Sequence, residues 1–122
     1  MTEAQTAARS HMQTEQVDSL IAAAGVDGAR SILEAFQRST VELLRTLSEG
    51  LASGALTDAY RTAHAVKGSA ANVGAQLLAE TASAIEAACK AGDSAKAASM
   101  LADAQAKFDA FIVHFDAHLE QF

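Results

Sequence analysis

The residues best placed to do chemistry lie between Arg61 and Ala71. Arg61, His64, Lys67, Gly68 and Ala71 recur at spacings of three and four, which on a helix gathers them on one face. A neutral imidazole nitrogen is a nucleophile at physiological pH. If His64 attacks phosphorus, negative charge develops on the phosphoryl oxygens. Lys67, with Arg61 as a secondary candidate, can stabilise that charge, because phosphoryl transfer relies on positioning and electrostatics. Gly68 is the odd residue of the set. Glycine inside a helix costs about 1 kcal/mol relative to alanine, and this chain uses alanine almost everywhere else. A missing side chain one turn from His64 leaves the imidazole open to a large partner. Each residue taken singly has an ordinary explanation: a surface histidine, a solvated lysine, a glycine at a helix contact. It is their conjunction that points to a site.

The other candidates are weaker. His114 and His118 are four apart, a spacing that can hold a metal from one helix face. Two ligands do not make a site, however, and the repeated Glu-x-x-His pattern of a bundle di-metal centre is absent, so no metal is expected. Cys89 falls on an apolar stripe and reads as a small buried residue. The acidic residues are scattered, with no close catalytic pair. No G-x-x-x-x-G-K run is present, so no phosphate-binding loop for a nucleotide is expected.

The elements that must position His64 follow from the apolar spacing. Val17 to Ala24 forms a short amphipathic helix that Gly25 can stop, and Asp27 can cap the next one. From about residue 29 to 51, Leu33, Phe36, Thr40, Leu43, Leu47 and Leu51 form one broad stripe. The third helix, about 56–73, sends Ala59, Ala63, Val66, Ala70 and Val73 inward, which places His64 outward. The fourth, about 75–91, buries Leu78, Ala82, Ile85 and Cys89. The last begins at the N-cap Asp93 and carries Ala97, Leu101, Ala104, Phe108, Phe111, Phe115 and Leu119. Long helices with short connections predict an all-α, antiparallel up-down four-helix bundle, with the short N-terminal helix packed across one end. Residues 1–14 lack periodicity and read as a flexible tail, leaving 15–122 as the domain.

Composition agrees. The chain has 122 residues, of which 50% are apolar and 20% charged, with no proline or tryptophan. That is one domain with an ordinary core. Alanine supplies about a quarter of the residues, which favours helices and argues against a sheet protein. Nine Lys and Arg against fifteen Asp and Glu give a net charge of −6, with no basic stripe for nucleic acid. No apolar run is long enough to span a bilayer. The N-terminus has no secretory h-region, and one cysteine cannot form an internal disulfide. Together these predict a cytoplasmic protein.

The run from Ala63 to Gly74, His64 followed by Lys67-Gly68, then small residues, Val73 and a second glycine, resembles the signature of histidine phosphotransfer (HPt) domains of multistep phosphorelays. Leu77 or Leu78, Ile85-Glu86 and the Gly92-Asp93 turn fall where that family has a leucine, an apolar-Glu pair and a turn. The resemblance extends over about residues 17–120. It implies that His64 is the phosphoacceptor, Lys67 the residue supporting the phosphoryl group, and Gly68 the small position that keeps the histidine accessible. Ala65 and Val66 depart mildly from the family's usual residues. Arg61 is not a family feature, and Ala71 enters as a flanking small residue for docking. The implied activity is acceptance of a phosphoryl group from a receiver-domain phospho-aspartate and its passage to the aspartate of a response regulator. The implied partners are sensor or hybrid histidine kinases and receiver domains, met by a monomer that needs no cofactor of its own, with Mg²⁺ held by the receiver. Met1 and the tail favour a free-standing protein. Two other readings stay open: a helical interaction or dimerisation module in which His64 is incidental, and a phosphoacceptor domain served directly by an ATP-dependent histidine kinase.

Overall fold

The computed structural model describes residues 11–122, and every regular element among them is an α-helix. Helix α1 spans Thr14–Ser53, α2 Leu56–Val73, α3 Gln76–Lys90, α4 Ser94–Ser99 and α5 Leu101–Leu119. Gly25 divides α1 into a short and a long limb: its φ of 77° and ψ of 171° are non-helical, a conformation that costs glycine little. The short first helix and the long second one expected from the sequence are these two limbs. The long limb, α2, α3 and the α4–α5 rod surround one core. Each packs on its neighbours in the ring α1, α2, α3, α5, and the most extensive contact lies between α2 and α3.

The inner stripes explain this order. Helix α2 buries Ala59, Ala63 and Ala70, and α3 buries Ala82 and Ala88. Small side chains let two helix axes approach closely. The wider gap between α1 and α5 is filled by aromatic rings. Phe36 meets Phe111 edge to face at 5.5 Å, Phe111 meets Phe115 at 5.6 Å, and Phe36 meets Phe108 at 5.9 Å. Rings at these separations and tilts gain attraction beyond simple burial.

Two expectations are modified. The last rod is not one helix from Asp93. Asp93 does cap it, its Oδ1 accepting from the Lys96 amide at 3.0 Å. The helix then breaks at Met100, where φ is −96° and ψ −3°. The Ser99 hydroxyl donates to the Lys96 carbonyl at 2.7 Å, and the Met100 amide reaches back three residues to Ala97. Such local side-chain bonds compete with regular helix. The tail expected over 1–14 lies mostly outside the described residues. Its described end packs on the bundle: Met12 is buried, and the Gln13 amide donates to the Gly74 carbonyl at 2.8 Å.

The short limb of α1 caps the end of the bundle where α2 turns into α3. Gln16 Nε2 donates to the Ala71 carbonyl at 2.7 Å, and Gln13 and Gln76 bond through their side-chain amides. At the opposite edge of the limb, Asp18 meets His118 of α5 at 2.6 Å. The α2–α3 turn itself is made by Gly74 at φ 84°, with Ala75 N–H bonded to Ala70 O at 2.9 Å. This left-handed C-cap needs glycine. Gly74→Ala would place a Cβ 3.4 Å from both Cβ and O of Gln13, in a conformation costing an L-residue about 1–2 kcal/mol. We expect a loss of stability of at least that size, read from the urea midpoint by circular dichroism.

Candidate functional site

Helix α2 sends the expected residues outward. Ala59, Ala63, Val66 and Ala70 are buried, while Arg61, His64, Gly68 and Ala71 are exposed and Lys67 is half-buried. The His64 side chain is 63% exposed, which is enough for a partner to reach it. The Tyr60 ring lies nearly parallel to the imidazole one turn away, with centroids 6.5 Å apart.

The organising contact comes from α3. Glu86 Oε2 lies 2.5 Å from His64 Nδ1, and Glu86 Oε1 accepts from Lys67 Nζ at 2.8 Å. One carboxylate thus holds the histidine and the lysine together. The Lys67 hydrogen bond, opposed by desolvation and helped by the His64 contact, keeps the Glu86 carboxyl below its ordinary value of 4.5. An ionised carboxylate offers only acceptors, so the proton in the short contact belongs to Nδ1. The neutral ring therefore carries its free lone pair on Nε2.

Gly68 faces open space, and a Cβ built on it would meet nothing within 4 Å. No packing among the described residues explains the glycine, and the room it leaves is open to something arriving from outside. Past Gly68 the surface continues into a shallow groove of about 400 Å³, lined by Lys67, Ala71, Gly74, Ala79, Gln13 and Gln16 among others. Ala71 therefore lies on the wall of a depression next to the site. Arg61 is exposed one turn before His64 and forms no ion pair among the described residues, so it is not drawn into the His64–Glu86–Lys67 cluster.

The remaining candidates go elsewhere. His118 pairs with Asp18, and the His114 ring lies 5.4 Å from that of His11. Among the described residues no group of three or more potential ligands gathers. Cys89 is buried, which pushes its thiol up.

Glu86 is the residue that spacing arguments passed over as a site member. It appeared only as half of the Ile85-Glu86 pair. A signal was available, because His64 and Glu86 are equidistant in sequence from Ala75. In a tight antiparallel hairpin centred there, they must lie opposite each other.

The Glu86 pair makes a pH-linked prediction. A carboxyl held low in the folded state contributes stability that is present above its ordinary value, 4.5, and is lost as the pH falls through the lower folded value. Lys67→Met removes the largest cause of that lowering. Glu86 should then titrate closer to its ordinary value, as read by carboxyl carbon-13 NMR, and the acid loss of stability through that window should shrink. An unchanged Glu86 titration would show that the contact is not held in solution.

Comparison with known proteins identifies the family. Residues 31–122 match the Hpt domain. Among solved structures, that of histidine-containing phosphotransfer protein B (HptB) from Pseudomonas aeruginosa PAO1 superposes with a TM-score of 0.84 at 25% sequence identity, covering 92% of this chain and 96% of that one. No curated protein matches the chain significantly in sequence. With a helical bundle of this form and the domain match covering most of its length, the chain belongs to the Hpt domain family, the histidine phosphotransfer proteins of phosphorelays.

Proposed function

We propose that His64 is the phosphoacceptor, attacking through Nε2, with Lys67 stabilising the phosphoryl oxygens and Gly68 admitting the donor. The observation that carries this reading is the division of labour around the ring: Glu86 engages Nδ1 while the solvent side stays open above Gly68. In-line attack on phosphorus needs an unprotonated nitrogen with room in front of it, and Nε2 meets both needs. Lys67 Nζ shares the Glu86 carboxylate with the ring, and its flexible four-carbon stem lets it swing from there to a phosphoryl oxygen. Arg61, one turn away, is available to the same oxygens or to acidic groups of the partner.

The donor is a phospho-aspartate on a receiver domain linked to a sensor or hybrid kinase, and the acceptor is the aspartate of a response regulator. Mg²⁺, where the transfer uses it, belongs to the receiver. The docking face runs from His64 across Gly68 and Ala71 toward the groove beside Lys67. Contacts of this kind are modest in area and transient. The same reading has the protein act in the cytoplasm as a monomer. Among the described residues, no helix is long and apolar enough to cross a membrane.

The direct experiment incubates the protein with a phosphorylated receiver domain. It should yield an acid-labile, base-stable adduct on His64. His64→Ala should abolish labelling while leaving helicity near wild type, and Lys67→Ala should slow transfer; labelling that survives His64→Ala would refute the assignment. Gly68 offers a separate check. Because an added methyl meets nothing, Gly68→Ala should raise stability by about 1 kcal/mol, whereas Gly68→Leu should block transfer by bulk despite its better helix propensity. A Leu variant that transfers at the wild-type rate would remove the steric role of this glycine.

A further inference from the structure

The outer face of the long α1 limb carries a charge pattern that the transfer chemistry leaves unused. Between residues 27 and 45 the charged side chains are Asp27, Arg30, Glu34, Arg38, Glu42 and Arg45. Their signs alternate strictly, and their spacings of three, four, four, four and three read the same in both directions. All of them lie on a continuous stretch of helix beyond Gly25. Arg30 is half-buried and the others are exposed. At about 100° per residue the ladder closes whole turns, so Asp27 and Arg45 point the same way and the charges between them stay near one side of the helix.

We propose that two copies of this chain associate reversibly through this face, with their α1 helices antiparallel and a two-fold axis between Glu34 and Arg38. The pairing goes beyond the transfer reading and does not depend on it: the single chain remains the unit that carries out transfer, and pairing is an association between such units.

A two-fold interface must be self-complementary, and the ladder is. The axis sets Asp27 of each copy opposite Arg45 of the other, Arg30 opposite Glu42, and Glu34 opposite Arg38, so every charge in the segment meets its opposite. Parallel helices in register would set like against like. The uncharged side chains fit the same register, with Val41 opposite Ser31 and Gln37 opposite Ala35, large against small. Apolar surface lies alongside. Val41 and Val113 are large hydrophobic side chains left 51% and 66% exposed. Val113 lines a shallow groove between α1 and α5 together with Leu33 and Ile112, and Val41 lines another beside Arg38 and Glu42. Covering these side chains supplies attraction, while the alternating signs select the register and disfavour others.

Contacts within one chain leave the face available. Glu34 and Arg38, at the axis, form no ion pair among the described residues. The pairs of Arg30 with Asp116, and of Arg45 with Glu42 and Glu49, are exposed at both ends, and exposed pairs hold their partners weakly. The patch is little more than one helix wide, which places it at the small end of specific interfaces and makes the association reversible. In the ring of helices the α1–α5 side lies across from the α2–α3 side, so His64 stays open to receivers in both copies.

The test is sedimentation velocity on the full chain over a concentration series, with the helicity of every variant checked by circular dichroism. Wild type should pass from one chain toward two as its concentration rises to about 1 mM, the weak limit of specific association. Arg38→Glu brings only carboxylates to the axis, and Glu34→Arg brings only guanidinium groups, so each variant alone should stay a single chain. An equimolar mixture of the two should pair again, because one copy then presents negative charge at the axis and the other positive. Exchanging both residues within one chain keeps the composition and should also restore pairing. Neither position touches the His64 site, so phosphoryl acceptance should stay at the wild-type rate throughout. A wild type that remains a single chain at every concentration, single variants that pair as wild type does, or a mixture that stays apart overturns the proposal and leaves the phosphoacceptor reading in place.

Discussion

A single carboxylate on α3 reaches across to two side chains on α2, and the arrangement of the outer surface follows from that contact. Glu86 can touch both His64 and Lys67 only because the two helices lie close and in one register. Closeness comes from the alanines lining the α2–α3 contact. Register comes from the turn at Gly74, whose left-handed backbone reverses the chain within a few residues. A slide of α3 by one residue would rotate Glu86 by about 100° around its helix and carry it away from the imidazole. The short limb of α1 guards this geometry by bonding to the Gly74 and Ala71 carbonyls.

Elsewhere electrostatics matter less. The pairs Arg45 with Glu42 and Glu49, and Arg30 with Asp116, are exposed at both ends and contribute little in water and salt. The Glu86 cluster differs because the carboxylate is largely covered. A covered charge is tolerated when its partners supply both opposite charge and hydrogen bonds, and Lys67 and the ring do so. The aromatic cluster of Phe36, Phe108, Phe111 and Phe115 lies on the other side of the bundle. It makes the scaffold stiff without taking part in the chemistry.

Much of this was legible in the chain. The buried set on α2, namely Ala59, Ala63, Val66, Ala70 and Val73, is the stripe its spacing predicted, and His64 therefore faces solvent. The stop at Gly25 was visible for the same reason, since glycine among so many alanines marks a conformation that alanine resists. Three features were not. The break at Met100 arises from a serine bonding back to its own helix, which leaves no trace in apolar periodicity. Met12 and Gln13 pack on the bundle through one side chain and a few backbone and amide bonds, too short a segment to show a period. Glu86 was hidden because its value lies in what it meets on another helix.

Periodicity within one helix is a local property, set by 3.6 residues per turn and the need to bury apolar groups. The sequence alone therefore determined the helices, their inner and outer faces, and the grouping of His64, Lys67 and Gly68 on one exposed strip. Which nitrogen of His64 stays free, and whether Lys67 or Arg61 is drawn to it, depends on a carboxylate from a different helix. That choice required the distance and register between α2 and α3, which no single stretch of the chain contains and which only their packing together decided.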